Sequence, residues 1–289
     1  MNTATMRVER AGERAAISAP VRFVLLCFAL SWSALIGGWL LAGRPADFRA
    51  PGMMAAVYLS SFGPGLAGAV LSWREGRLRE WARGFGRWRA GWRAYLAALL
   101  PLPLAVVALT AALGYAPRAT GDMPAALFWL TLFPVSLFNG VATALMGAGP
   151  LGEEGGWRGY LLPRLLERMS EARAALVVGV VWALWHLPIM ALFAGWRDGL
   201  PFGQYLPLYV VGVVGLSFLL TRVWRLGGGS LLPCIWLHGL VNAIGGTAFS
   251  GQLWASGWSA QASTAHAMLA FWMAAGIVWW ATAVRRRRP

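Results

Sequence analysis

The sequence predicts an all-α fold, a polytopic transmembrane helical bundle of about eight spans. Three observations predict it. Hydrophobic residues make up 58% of the 289 and charged residues only 12%, about half the charged share of a soluble domain. The apolar residues fall in runs of about 20, the length a helix needs to cross the hydrocarbon core. The formal charge is +14, yet the arginines sit between those runs rather than along one groove, which argues against nucleic acid as a partner. Helices are the open choice, because no backbone polar group can go unpaired in lipid.

The runs cover 21–43, 51–73, 94–115, 125–148, 174–195, 205–224, 230–249 and 264–284. Residues 1–20 are polar and arginine-bearing and read as a cytoplasmic tail. The first run exceeds a signal-peptide core and no small-residue cleavage site follows it, so it reads as a retained span. Residues 21–124 then hold the N-terminal helices, 125–250 the core that carries the motifs, and 251–289 the last helix with an arginine-rich tail. No repeat of fixed period is present. Cys27 and Cys234 both fall inside apolar runs, so a disulfide framework is not expected.

Orientation follows from the arginines. With the N-terminus inside, 21 of the 25 basic residues, all of them Arg, fall on the inner side, the asymmetry that the positive-inside rule describes. The expected location is the inner cell membrane with both termini cytoplasmic. Trp73, Trp92, Trp196 and Trp224 lie near span ends, where an aromatic belt would place them. The segment 74–93 alternates Arg with Trp and reads as an interfacial stretch attracted to anionic headgroups.

Ionisable residues inside a span are expensive and point to function. Most of the 11 acids lie in loops or tails. The exceptions are Glu153 and Glu154, just after the break Gly147-Ala148-Gly149-Pro150, while His186 and His238 lie within apolar runs. His266, at the start of the last span, looks incidental. Residues four apart share a helix face. Glu154 can therefore pair with Arg158, which leaves the Glu153 carboxylate free. The same spacing gives His186 a partner in Trp182 and His238 a partner in Asn242. Counted along each helix at 1.5 Å per residue, Glu153, His186 and His238 lie roughly 15, 16 and 12 Å deep. Three separate segments thus bring polar groups to one level, as a site would. For Glu153 to be deep, either the chain kinks or re-enters at the Gly-Ala-Gly-Pro break, or 125–140 is tilted or partly outside the core.

These residues resemble the CAAX-processing and bacteriocin-processing intramembrane proteases, the type II CAAX prenyl endopeptidase family. The resemblance rests on Glu153-Glu154-Gly155-Gly156-Trp157-Arg158, on Trp182 with His186 four residues on, and on His238 with Asn242 four residues on. It covers about residues 145–250. One departure is Trp182, where the family more commonly has Phe, a conservative packing change.

The resemblance implies an intramembrane endopeptidase acting on membrane-associated proteins or peptides. Glu153 with His186 would activate water, His238 and Asn242 would stabilise the oxyanion, and Glu154 with Arg158 would hold the motif helix in place. Burial of Glu153 suits a general base. A metal is a second option. Glu153, His186 and His238 offer ligand types that zinc accepts, although the chain lacks a His-Glu-x-x-His motif; the metal-free route is slightly favoured. An aspartyl mechanism is disfavoured because Asp47, Asp122 and Asp198 all lie in loops. Ser230 sits at a span end, and an apolar pocket would raise the pKa of a Cys234 thiol. The runner-up is a non-proteolytic scaffold or bacteriocin-immunity-type protein. A transporter would show repeats and paired broken helices. The Lys-free, Ala/Gly/Trp-rich composition suggests a GC-rich bacterial gene, so the family name does not by itself name the substrate.

Overall fold

Prolines divide several of the apolar runs into shorter helices. The computed structural model describes residues 3–112, 138, 141–142, 149–197, 199–247 and 260–286. Helix α1 (Thr3–Leu41) carries Pro20 inside it and runs from the polar N-terminal residues into the first span, which begins at Ala19. The second run splits at Phe62 into α2 (Pro51–Ser61) and α3 (Gly63–Arg74), and Pro64, in the first turn of α3, lacks the N–H needed to continue α2. The segment 74–93 contains α4 (Leu78–Gly86). The next run splits into α5 (Trp92–Leu99) and α6 (Pro101–Ala112) at the Pro101 and Pro103 pair.

The motif segment follows as α7 (Pro150–Gly156), a π-helical turn (Trp157–Leu161) and α8 (Leu162–Leu166). The Leu162 N–H bonds back five residues to the Trp157 carbonyl. The widened turn thus falls immediately before Pro163, which has no N–H to give. Beyond it come α9 (Glu171–Trp185), α10 (Leu187–Leu192), a short 3-10 turn (Ala194–Arg197), α11 (Phe202–Leu226), α12 (Leu232–Thr247) and α13 (Ala260–Arg286).

The chain is an all-α polytopic bundle. Among the described residues, six stretches are long and apolar enough to cross a membrane: Ala19–Leu41, Gly52–Arg74, Trp92–Ala112, Glu171–Leu192, Phe202–Leu226 and Thr264–Ala283. They match six of the eight expected runs. The run 230–249 folds as a shorter apolar helix, Leu232–Ala243. The run 125–148 lies outside the described residues except for helical positions 138, 141 and 142. Leu25, Leu59, Leu66, Leu104, Val211 and Leu269 are more than half exposed, as side chains facing lipid would be.

The motif segment runs through the middle of the bundle. Trp157, Arg158, Tyr160, Leu161 and Leu162 are all buried. Phe23 of α1 stacks on Tyr160 at 5.3 Å and meets Trp157 edge-on at 5.6 Å. On the other side α3 approaches at backbone contact. A Cβ on Gly156 would stand 2.5 Å from Pro64, and one on Gly152 would stand 2.5 Å from the Ser61 carbonyl oxygen. No side chain fits in either place, so the glycines flanking Glu153-Glu154 are what let two helices pack this closely in lipid. A polar clasp ties α9, α11 and α13 together. Buried Arg222 pairs with Glu171 at 3.1 Å and donates to Thr282 Oγ1 at 2.8 Å.

Candidate active site

Each polar group in the centre is placed by its own local structure. Gly149 has φ +115° and ψ −84°, a conformation open to glycine and not to L side chains. It turns the chain into α7 so that Glu153 and Glu154 leave the helix on adjacent faces. His186 stands at the junction of α9 and α10. Pro188, two residues on, cannot donate to the Leu184 carbonyl, so the helix breaks there. The sequence reading treated 174–195 as one uninterrupted span; the break re-aims His186, whose Nδ1–H donates to the Trp182 carbonyl at 2.9 Å. His238 and Asn242 project from α12.

Glu153, Trp182, His186, His238 and Asn242 all line one cavity of about 720 Å³. At its narrow polar end, Glu153 Oε1, Asn242 Nδ2 and His238 Nε2 gather round Gly149, at 3.0, 3.3 and 3.8 Å from where a Cβ on that residue would stand. The rest of the wall is largely apolar, and aromatic around His186. Trp185, Tyr209 and Trp196 pack round the His186 ring at centroid distances of 4.6, 5.3 and 6.1 Å. Trp32 of α1 closes the side by donating to the Trp185 carbonyl at 3.0 Å.

Glu153 is not the free carboxylate expected from its distance to Arg158. Its Oε2 accepts from the Trp182 indole N–H at 2.6 Å and from the Trp157 indole N–H at 3.4 Å. Two neutral donors therefore hold the carboxylate, and Oε1 remains on the cavity side. Trp182 is accordingly more than a conservative packing change, because a Phe there would have no N–H to give. The expected Glu154–Arg158 pair is present at 3.1 Å, with both side chains fully buried. Arg158 also stacks over the Trp182 ring at 4.7 Å.

The pairing of His238 also departs from expectation. Its Nδ1 meets Glu154 Oε1 at 2.9 Å, and Asn242 is exposed to the cavity. The carboxylate 84 residues away in sequence, not the amide on the same face, orients the ring. Glu154 Oε1 thus accepts from both His238 and Arg158.

The two nucleophile alternatives are placed elsewhere. Ser230 stands at the span end, as expected, but is buried there; its hydroxyl donates to the Arg87 carbonyl at 2.7 Å and accepts from the Leu232 N–H at 3.3 Å, capping α12. Buried Cys234 points its thiol at the Leu220 carbonyl, 3.7 Å away. Neither lines the cavity. His266 is buried and bonds Thr110 Oγ1 at 3.2 Å, which joins α13 to α6.

Glu153, His186 and His238 were also candidate zinc ligands. Among the described residues, no three His, Cys, Asp or Glu side chains are grouped so as to hold a metal ion. Each histidine has its Nδ1 committed, to the Trp182 carbonyl and to Glu154 respectively. A metal there would have to be taken by the two Nε2 atoms, since an engaged Nδ1 is compatible with ligation through the other ring nitrogen.

Two site residues escaped the sequence reading. Trp157 is four residues from Glu153, so the spacing rule that pairs Glu154 with Arg158 would also have found it. Gly149 was read only as part of a helix break, and its contact with three site groups depends on α12.

Comparison with known proteins falls on the same stretch. Residues 128–244 match the family model described as Type II CAAX prenyl endopeptidase Rce1-like. A protein of Methanococcus maripaludis named CAAX prenyl protease 2 is 28% identical over 93 residues, 31% of this chain. The aligned stretch spans about a third, 34%, of that relative's length. Residues 128–244, the stretch bearing all three motifs, are thus similar to the Rce1-like, type II CAAX prenyl endopeptidase family.

Proposed function

We propose that this chain is an intramembrane endopeptidase that hydrolyses peptide bonds of membrane-associated proteins or peptides, with water activated by Glu153. The observation that carries the reading is the gathering of Glu153 Oε1, His238 Nε2 and Asn242 Nδ2 at one end of a largely apolar cavity. A base and two groups able to donate to an oxyanion stand together where bulk water is scarce.

In this reading Glu153 Oε1 takes a proton from a water molecule whose oxygen attacks the scissile carbonyl carbon. His186, with its Nδ1–H given to the Trp182 carbonyl, keeps an Nε2 lone pair to orient that water. His238 gives its Nδ1–H to the Glu154 carboxylate, so the ring can carry a second proton on Nε2 beside the negative charge. That N–H and the Asn242 amide then donate to the oxyanion. Collapse of the tetrahedral intermediate breaks the C–N bond, and Glu153 returns its proton to the leaving nitrogen. No step passes through a metal. The aromatic wall of Trp32, Trp185, Trp196 and Tyr209 suits an apolar stretch of substrate. The reading puts both termini in the cytoplasm on the arginine asymmetry; reporter fusions at Pro289 and within 74–93 test this, and an outside signal at either rejects it.

The purified protein in lipid nanodiscs, incubated with a library of membrane-segment peptides, tests the activity by mass spectrometry of new termini. Cleavage is expected from the wild type and lost in Glu153→Ala. Cleavage that survives in Glu153→Ala rejects the assigned base. A chain that cleaves nothing while Glu153→Ala leaves its cellular role intact would instead be a scaffold or immunity-type protein.

A further inference from the structure

A second pocket, of about 380 Å³, lies on the other side of the motif segment from the cavity of Glu153. The two share no lining residue. Arg77, Trp81 and Arg87 come from the 74–93 segment, Arg158 and Arg164 from the motif segment, and Arg225 from the end of α11. The segment 74–93 does more than lie at an interface. The Trp81 indole N–H donates to the Gly155 carbonyl at 2.8 Å, and the Leu231 N–H donates to the Gly84 carbonyl at 3.0 Å. These contacts hold α4 against the motif segment and the start of α12 and form a wall of the pocket.

Most of the arginines there are already engaged. Arg77 pairs with Glu80 through two bonds, at 2.9 and 3.1 Å. Arg164 pairs with Glu75, and Arg225 approaches Glu171 at 3.7 Å. Arg87 Nη1 donates to the Gly228 carbonyl at 3.0 Å. Arg158 differs from these. It is fully buried, yet its Nε and Nη2 have no hydrogen-bond partner among the described residues. A buried, unsatisfied guanidinium nitrogen is costly, and here it borders a pocket. Charge points the same way. Glu171 serves both Arg222 and Arg225, and among the described residues no carboxylate lies within salt-bridge distance of Arg87. The lining arginines together with Arg222 number six, against the four carboxylates Glu75, Glu80, Glu154 and Glu171. Glu167 also acts on Arg77, and the cluster keeps a net positive charge.

We propose that this pocket binds a phosphate monoester or inorganic phosphate as the dianion, with Arg158 Nε and Nη2 as buried donors and Arg87 and Arg225 supplying the balancing charge. A planar guanidinium suits phosphate oxygens. The phosphate comes either from solution or from a lipid headgroup, since Trp88 and Trp92 beside the pocket are more than half exposed, as interfacial tryptophans are. An occupant would reach the first cavity through one atom, because Glu154 Oε1 accepts from both Arg158 and His238. Binding itself does not depend on the proposed peptidase chemistry.

The test uses the full chain in phosphatidylcholine nanodiscs, with thermal unfolding and native mass spectrometry as readouts. One arm titrates inorganic phosphate, with sodium chloride at matched ionic strength as control. The other adds phosphatidic acid, with phosphatidylglycerol as the control for plain negative charge. A rise in melting temperature, with the bound mass retained, is expected in at least one arm and in neither control. The phosphate arm alone identifies a soluble anion, and the phosphatidic acid arm alone a lipid. Arg87→Gln and Arg225→Gln lie outside the proposed catalytic machinery, and each should weaken binding about tenfold, the worth of one charge-assisted contact. No response in either arm, an equal response to either control, or an unchanged response in both variants overturns the proposal. Peptidase activity enters none of these readouts.

Discussion

The indole N–H of Trp182 donates to Glu153 Oε2 at 2.6 Å, so the second motif holds the carboxylate of the first. Trp182→Phe keeps the ring over Arg158 and removes this donor. The 3.4 Å contact from Trp157 remains. We expect kcat to fall by about 10- to 100-fold, the usual effect of losing a group that orients a reacting one, with KM little changed. Stability should fall by about 1–3 kcal/mol, the cost of a lost bond to a buried charge. Steady-state kinetics on a cleaved peptide, beside a denaturant melt, measures both. Full activity in Trp182→Phe would mean that the indole bond does not position Glu153.

Glu153 and Glu154 should separate in their effects, though not completely. Glu153→Gln is expected to abolish turnover and leave the melting temperature almost unchanged. Glu154→Gln strands buried Arg158 and should cost about 3–5 kcal/mol. It also frees the His238 ring, so turnover should drop even in the fraction that stays folded. Active-site titration of the folded fraction distinguishes the two losses. A Glu154→Gln enzyme with unchanged turnover per folded molecule would show that the Glu154 contact does not set the His238 ring.

Asn242 offers its amide at the cavity end beside His238 Nε2. Asn242→Ala should lower kcat by about 10²–10³, the loss typical of one oxyanion donor, with little effect on substrate affinity. The same preparations bear on the metal. Elemental analysis of active, chelator-washed protein should find no stoichiometric zinc, and chelators should leave activity intact. About one zinc per chain, required for activity, would falsify the metal-free mechanism.

Glu75 gives a pH signature outside the spans. Burial pushes its carboxyl up, but the Tyr160 hydroxyl and the Arg164 guanidinium outweigh this and hold it below the ordinary value. A carboxyl lowered in the folded state adds stability above its unfolded pKa, about 4.3 for Glu, and loses it as pH falls through the folded value. Wild type should therefore outlast Glu75→Gln at neutral pH, with the gap closing progressively below about pH 4. Melting temperatures of both proteins across that range provide the check. A gap independent of pH would mean that the Glu75 charge adds nothing.

Relations within one helix were legible in the sequence because the 3.6-residue period fixes which side chains share a face. The Glu154–Arg158 pair, the apolar runs and the rarity of acids and histidines within them all follow from that period and from the cost of charge in lipid. The same rule held Glu153 with Trp157, and Pro64, Pro101 and Pro188 marked the breaks in α2–α3, α5–α6 and α9–α10. Relations between helices were decided only by packing. His238 turned to Glu154, 84 residues away, instead of Asn242 on its own face. The Trp182 indole found Glu153 across 29 residues. The 74–93 segment docked on Gly155 through Trp81. A periodicity says which way a side chain leaves its helix, but its partner depends on how close a second helix comes. Here that approach is set by glycines at 152 and 156, whose missing side chains let α3 and the motif segment meet backbone to backbone.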